Sequence, residues 1–448
     1  MKRIMIAGTG SGCGKTTTVC AVIQALVNRG IDVSSFKCGP DYIDSMFHSH
    51  IMGVSSRNLD SWFCDENTII RLLNKNSGEM SVIESVMGFY DGISGKYTSY
   101  DMSLYTLTPV IMVIDCKGMS SSIGAVMKGF LTFREPNNIC GFIFNRLPEK
   151  LVPEIKELCQ KLDTQYLGRI PYDKNCSFES RHLGLVTANE ISDIKQKLSR
   201  LSEYAERYIC FDKIIKLSEA PELYAGDTVV LNKGLPVRIA VASDKAFCFI
   251  YEDNLELFRE LGCEIVEFSP IEDKRLPENI SGLLLCGGYP ELYLKELSLN
   301  KTMLSDIRNA VISKMPVIAE CGGFMYLHRQ IKDEYGYLYD MAGVIDAVAY
   351  KTSRLQRFGY TRLIAQTDNV LCKKNEEIKA HEFHYWDSTD PGNSFRAIKA
   401  SDKTEYSAVH ADMSSYMGFP HLYFYSDVRM AENFASACRR FKEENGKN

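Results

Sequence analysis

The chain has 448 residues, 45% hydrophobic and 24% charged, which exceeds one ordinary hydrophobic core and predicts two or more domains. A net charge of −5 without a long basic run argues against nucleic acid or an anionic membrane as partner. No apolar stretch reaches the roughly 18 residues of a membrane span, and the sequence enters a strand at once, so neither a span nor a secretory signal is expected and a cytoplasmic location is. The 15 cysteines contain no C-x-x-C, so reduced and mostly buried thiols are expected rather than a disulfide framework or a zinc site.

In chain order, Ile4–Thr18 (IMIAGTGSGCGKTTT) reads as a strand, a phosphate loop and a helix start. Glycines let backbone N–H groups approach phosphate oxygens, and the helix N-terminus adds positive potential. Thr9, Gly10, Ser11, Gly12, Cys13, Gly14, Lys15, Thr16 and Thr17 are the nucleotide-binding candidates. Lys15 is placed to reach the outer phosphates of ATP, and the Thr16 hydroxyl to meet Mg²⁺. Thr9 stands where the usual G-x-x-x-x-G-K-[ST] pattern has its first glycine, and Gly8 lies one residue earlier. This variant resembles the loop of dethiobiotin synthetases, which activate carboxylates with ATP.

Val19–Arg29 predicts an amphipathic helix closed by Gly30, and Ile31–Phe36 a second strand running into KCGPDYID. Lys37 is expected to aim at the same phosphates as Lys15. Asp41 and Asp44 follow in a turn, where carboxylates suit Mg²⁺ as well as plain turn formation. His48 and His50 have no third ligand type nearby and read as core or solvated histidines. Met80–Met87 (MSVIESVM) predicts a buried strand interrupted by Glu84. A carboxylate there is costly unless paired or metal-bound, so Glu84 is a candidate Mg²⁺ ligand. Pro109–Asp115, Ile139–Asn145 and Tyr166–Pro171 predict further strands. Alternation with helical segments implies a doubly wound parallel sheet with ligands at the strand C-termini, where Asn145 is a candidate for reading the adenine. Glu190–Tyr208 has a helical period, and Leu217–Pro236 reads as an interdomain linker.

In the second half, Val237–Ala242 and Glu264–Phe268 predict strands around a helix at Asn254–Leu261. Gly282–Tyr289 is a strand running into Gly287-Gly288, whose N–H groups suit an oxyanion. Pro316–Leu327 (PVIAECGGFMYL) predicts a nucleophile elbow with Cys321 as nucleophile and Gly322 beside it as a further oxyanion donor. A helix N-terminus there would favour the thiolate. The thiolate needs a base. His328 is expected on the elbow helix, pointing away, and the residues alone leave His381, His384, His410 and His421 open.

Ten segments together resemble the cobyrinate a,c-diamide synthases over essentially the whole chain: AGTGSGCGKTT, KCGPDYID, SRNLD, ESVMGFYDG, FNR, LGRIPYD, RHLGL, CGGYPELY, AECGGFMYL and HEFHYWD. The resemblance implies an α/β chain of two doubly wound domains. Residues 1–190 would form an ATP-dependent amidoligase of dethiobiotin-synthetase type, 191–236 a helix and linker, and 237–448 a class I glutamine amidotransferase domain. It makes Cys321 the glutaminase nucleophile and His421 its base, and draws Asp41 and Asp44 into the ATP, Mg²⁺ and macrocycle site, Asp44 towards the substrate. Class I glutaminases carry a Glu two residues after the histidine. Here Tyr423 stands there, and the resemblance implies that the family shares the lack of this Glu, which leaves the third triad member unassigned. The implied partners are a corrin macrocycle (cobyrinate), L-glutamine or ammonia, and ATP. Ni-sirohydrochlorin or hydrogenobyrinate is the nearest alternative substrate. A P-loop regulatory ATPase with a non-catalytic amidotransferase-like domain is the alternative of another class. Nothing in the sequence sets an oligomeric state.

Overall fold

The computed structural model describes residues 1–176, 194–226 and 230–445. The RHLGL segment and the expected start of a helix at Glu190 lie outside the described residues. The chain divides into two units, Met1–Thr228 and Val229–Asn448.

The first unit is built on strands β1 (Lys2–Gly8), β2 (Val33–Cys38), β3 (Ser55–Leu59), β4 (Met80–Glu84), β5 (Val110–Asp115), β6 (Ile139–Asn145) and β7 (Gln165–Ile170). They form one sheet in the order β3-β2-β4-β1-β5-β6-β7, parallel throughout. β4 and most of β5 are buried along their length, as expected for a sheet covered on both faces. β3, Ser-Ser-Arg-Asn-Leu, is an edge strand that no apolar run marks in the sequence. Helix α1 (Lys15–Asn28) follows β1 directly, so the loop between them opens at the C-terminal edge of the central strand. The helix Ile194–Tyr208 buries Leu198, Leu201 and Ala205 in the same core as Val19, Ile23 and Leu26 of α1. The stretch expected as helix and linker therefore begins inside the first unit.

The second unit contains β8 (Val237–Ala242), β9 (Phe247–Phe249), β10 (Cys263–Phe268), β11 (Gly282–Leu285), β12 (Gly287–Gly288) and β13 (Val317–Glu320). Its main sheet runs β10-β8-β11-β13, then Ser415–Gly418 and His410–Asp412; only the last strand is antiparallel. Beyond this wound sheet, a five-stranded antiparallel sheet joins Glu405–Ala408, Phe395–Lys399, Arg357–Ala365, Glu377–His384 and His421–Leu422. It packs its Leu363, Ile378 and Ala397 against Phe434 of the C-terminal helix Arg429–Asn445 and Phe258 of Glu252–Glu260. Among the described residues no helix is long and apolar enough to cross a membrane.

Candidate active sites

In the first unit the candidate residues converge where β1, β2 and β4 end. Gly14 sits before α1 at φ 91°, a left-handed conformation, and a Cβ there would collide with the Asn145 amide. Asn145 Nδ2 donates to Cys13 O at 3.0 Å, so this residue braces the loop from the end of β6. Lys15 Nζ donates to Met87 O at 2.7 Å. Thr16 Oγ1 donates to Glu84 Oε1 at 2.7 Å. Lys37, expected to aim at the phosphates, lies between Glu84 and Asp44: its Nζ is 3.1 Å from Glu84 Oε1 and bonds the Asp44 carboxylate. Asp44, the expected substrate contact, is thus engaged with Lys37. Asp41 Oδ1 accepts from the N–H groups of Ile43 and Asp44 at 2.9 and 3.2 Å, capping the helix Tyr42–Met46.

Burial dominates the electrostatics of this cluster. It raises the Glu84 carboxyl, as does Asp44, and the same two causes raise Asp41 to about 6. Burial would lower Lys37, but Asp44 and Glu84 outweigh it and hold the ammonium above its ordinary value. Burial, then the Lys37 charge, lowers Lys15. His48 is buried and pushed down to about 4, so it is neutral, with Nδ1 2.8 Å from Ser35 Oγ. Glu84 Oε2 is buried without a hydrogen-bond partner. An orphaned carboxylate oxygen beside a threonine hydroxyl suits a hard cation that completes its shell with phosphate and water.

In the second unit Cys321 directly follows β13 with φ 48° and ψ −103°, a strained conformation for a non-glycine residue costing about 1–3 kcal/mol. The following helix is only Gly322–Tyr326, shorter than the elbow helix expected, so its dipole contributes little. Gly322 packs so closely on Gly288 N, and Gly287 on the His421 ring, that a side chain at either would intrude on the thiol's surroundings. The three oxyanion candidates are thus gathered at the elbow. His421 hydrogen-bonds the Cys321 thiol, and its Nδ1 lies 3.3 Å from Glu320 Oε2. Burial opposes the imidazolium, but the bonds to Cys321 and Glu320 outweigh it and raise His421 to about 9.

The other histidines are placed elsewhere. His381 pairs across strands with His421, but burial pushes it down to about 3 and its Nδ1 finds no hydrogen bond. His384 is held between Glu382 Oε2 at 2.9 Å and Trp386 O at 2.6 Å. His410 Nε2 meets Asp390 O at 3.1 Å. His328 opens the strand His328–Lys332 rather than lying on the elbow helix, and bonds Phe324 O and Ser388 Oγ.

Residues 4–186 match the CobQ/CobB/MinD/ParA nucleotide-binding domain family, and residues 238–427 the CobB/CobQ-like glutamine amidotransferase domain family. The chain is 36% identical over 445 residues to the cobyrinate a,c-diamide synthase of Caldanaerobacter subterraneus subsp. tengcongensis, covering 98% of each chain. It is 36% identical over 456 residues to that of Thermoplasma volcanium, covering 99% of this chain and 98% of the relative. Against the Clostridium acetobutylicum enzyme it is 38% identical over 389 residues, covering 86% and 87%. The chain belongs to the cobyrinate a,c-diamide synthase family. A nucleotide-binding unit therefore precedes an amidotransferase unit in this chain.

Two features of this synthase-family chain escape a reading of the sequence. One is Lys37 as an internal counter-ion to two carboxylates; its strand, VSSFKC, carries no pattern that reveals the pairing. The other is Glu320 against His421. Its signal was present: an acid ends the apolar run PVIAE, as Glu84 ends MSVIE.

Proposed function

We propose that this chain uses ATP and glutamine to amidate the a and c carboxylates of cobyrinate through acyl phosphate intermediates. The observation that carries this reading is the Cys321 thiol, hydrogen-bonded to His421 on a strained elbow, in the same chain as the Lys15, Thr16 and Glu84 loop site.

At the thiol site the Cys321 sulfur attacks the glutamine side-chain carbonyl, and the Gly287, Gly288 and Gly322 N–H groups receive the oxyanion. His421, holding the proton that the Cys321 thiol gives up, delivers it to the departing ammonia. Water then hydrolyses the glutamyl thioester. At the loop site a macrocycle carboxylate attacks the γ-phosphorus of ATP and ADP leaves. Ammonia attacks the resulting acyl phosphate, phosphate departs and an amide remains. Thr9–Thr17 cradle the phosphates. Lys15 leaves Met87 O to offset phosphate charge. Thr16 and Glu84, with Asp41 nearby, would hold Mg²⁺, which supplies charge neutralisation on the phosphates when bound. Lys37 favours ionisation of Asp44 and offsets part of the burial that raises Glu84, and Asp44 would turn to the substrate.

The test is the mass of the product after incubation with MgATP, glutamine and cobyrinate, and in parallel with Ni-sirohydrochlorin and with hydrogenobyrinate. Two carboxyl groups of cobyrinate become carboxamides. Amidation of another macrocycle alone would reassign the substrate. Absence of any glutamine hydrolysis would overturn the amidotransferase reading.

A further inference from the structure

We propose that Glu320 is the positioning residue of the glutaminase site, orienting the His421 imidazole in place of the carboxylate that class I glutaminases carry two residues after their histidine. This rests on the reading of Cys321 and His421 given above.

The position two residues after His421 is committed elsewhere. Tyr423 is buried, and its hydroxyl donates to Asp253 Oδ2 at 2.9 Å. Glu320 instead presents Oε2 to His421 Nδ1 at 3.3 Å. Its other oxygen, Oε1, accepts the Leu422 N–H at 3.2 Å. The carboxylate is therefore pinned to the backbone of the very strand that carries the histidine. With Nδ1 so occupied, Nε2 is left for the sulfur, the nitrogen through which a thiol–imidazole pair passes its proton.

Local backbone geometry explains how adjacent residues serve one ring. Consecutive side chains on a strand point to opposite faces. Cys321 breaks that alternation, because φ 48° and ψ −103° turn the chain sharply after Glu320. Residues 320 and 321 can then both reach His421. The groups around the pair do not compete for the charge. His381, across the strand pair, is kept neutral by burial. Cys286 and Tyr416, near Glu320, are both raised by burial and then by the Glu320 charge, and stay protonated. Phe249 meets His421 only through its ring.

Glu320→Gln tests this, since it keeps the size and the acceptor for Leu422 N–H but removes the charge. Glutamine hydrolysis by the full chain should lose about 100-fold or more in kcat with KM for glutamine within about twofold. The alkaline limb of the pH profile should move to lower pH, because the imidazolium has lost its counter-ion. Glu320→Asp should recover part of the rate and of the alkaline limb. Ammonia-dependent amidation and the thermal midpoint report folding; if Glu320→Gln fails to fold, the aspartate variant's shifted limb decides instead. Glu320→Gln with near-normal kcat and an unmoved profile overturns the proposal, as does a raised KM with kcat unchanged. Cys321→Ala runs alongside. If it retains glutamine hydrolysis, the glutaminase reading itself has failed. If it is inactive while Glu320→Gln is normal, only the role of Glu320 has failed.

Discussion

The phosphate-loop unit gathers Lys15, Lys37, Asp44 and Glu84 into one buried cluster at the ends of several strands, whereas the thiol unit gathers only Cys321, His421 and Glu320 around one turn. Their solutions differ in kind. The first relies on many opposed charges, with left-handed backbone at Gly12, Gly14, Gly39 and Met87 in the turns around them. The second uses few charges and stores strain at the nucleophile itself. A site for a polyphosphate needs a net field over several atoms, which a charge cluster supplies. A site for attack on one carbonyl carbon needs a sulfur held at one angle, which a forced turn supplies.

The sharpest way to break this comparison is to remove one member from each side and change the nitrogen donor. Cys321→Ala should lower glutamine-dependent amidation by about 10⁴-fold or more while sparing the ammonia-dependent reaction. Retained glutamine use would refute the assignment. Lys15→Ala should cost about 10³-fold with either donor, because the loop serves both. Normal turnover with ammonia would show that nucleotide binds elsewhere.

A smaller effect separates the units by pH. His421 titrates at about 9 in the folded chain, against about 6.5 when unfolded. A raised value means the stabilisation is fully present below about 6.5 and is lost as pH rises through about 9. Unfolding of the wild type should therefore lose up to about 3 kcal/mol of its advantage over His421→Gln across that range. Denaturant titrations of both chains at several pH values measure it; a constant difference would contradict the ion pair. Next in size, Gly14→Ala forces an alanine to φ 91° against Asn145 and should cost about 2 kcal/mol, read as a lower midpoint and weaker nucleotide binding. Asn145→Ala should cost least, about 1 kcal/mol, through the lost bond to Cys13 O. If Asn145→Ala instead changed the preference for ATP over GTP with stability intact, the residue would read the base and not brace the loop.

The sequence revealed most where local chemistry and tertiary role coincide. The Gly14-Lys15-Thr16 turn, the apolar β4 and β5, and the PVIAECGG elbow each carry their own signature. β3 carried none, because an edge strand of Ser-Ser-Arg-Asn-Leu buries too little apolar surface to show a pattern. The five-stranded antiparallel sheet was legible only in pieces, such as HEFHYWD, because its register is set by partners far along the chain. The choice among four histidines was closed to the residues' own chemistry, and only the family resemblance pointed to His421. All of them sit in or beside strands, and only the tertiary fold decides which meets the thiol.

The central position of β1 has a consequence for biosynthesis. Lys2–Gly8 is bonded on one side to Met80–Glu84 and on the other to Val110–Asp115. During synthesis Lys2–Gly8 therefore waits for residue 115 before both its edges are covered. Until then a bare apolar ribbon, ending in the glycine loop, is exposed to aggregation and to chaperones. Synonymous codons that slow translation between residues 10 and 110 should lengthen that exposure and lower the soluble yield, even though the finished protein is identical.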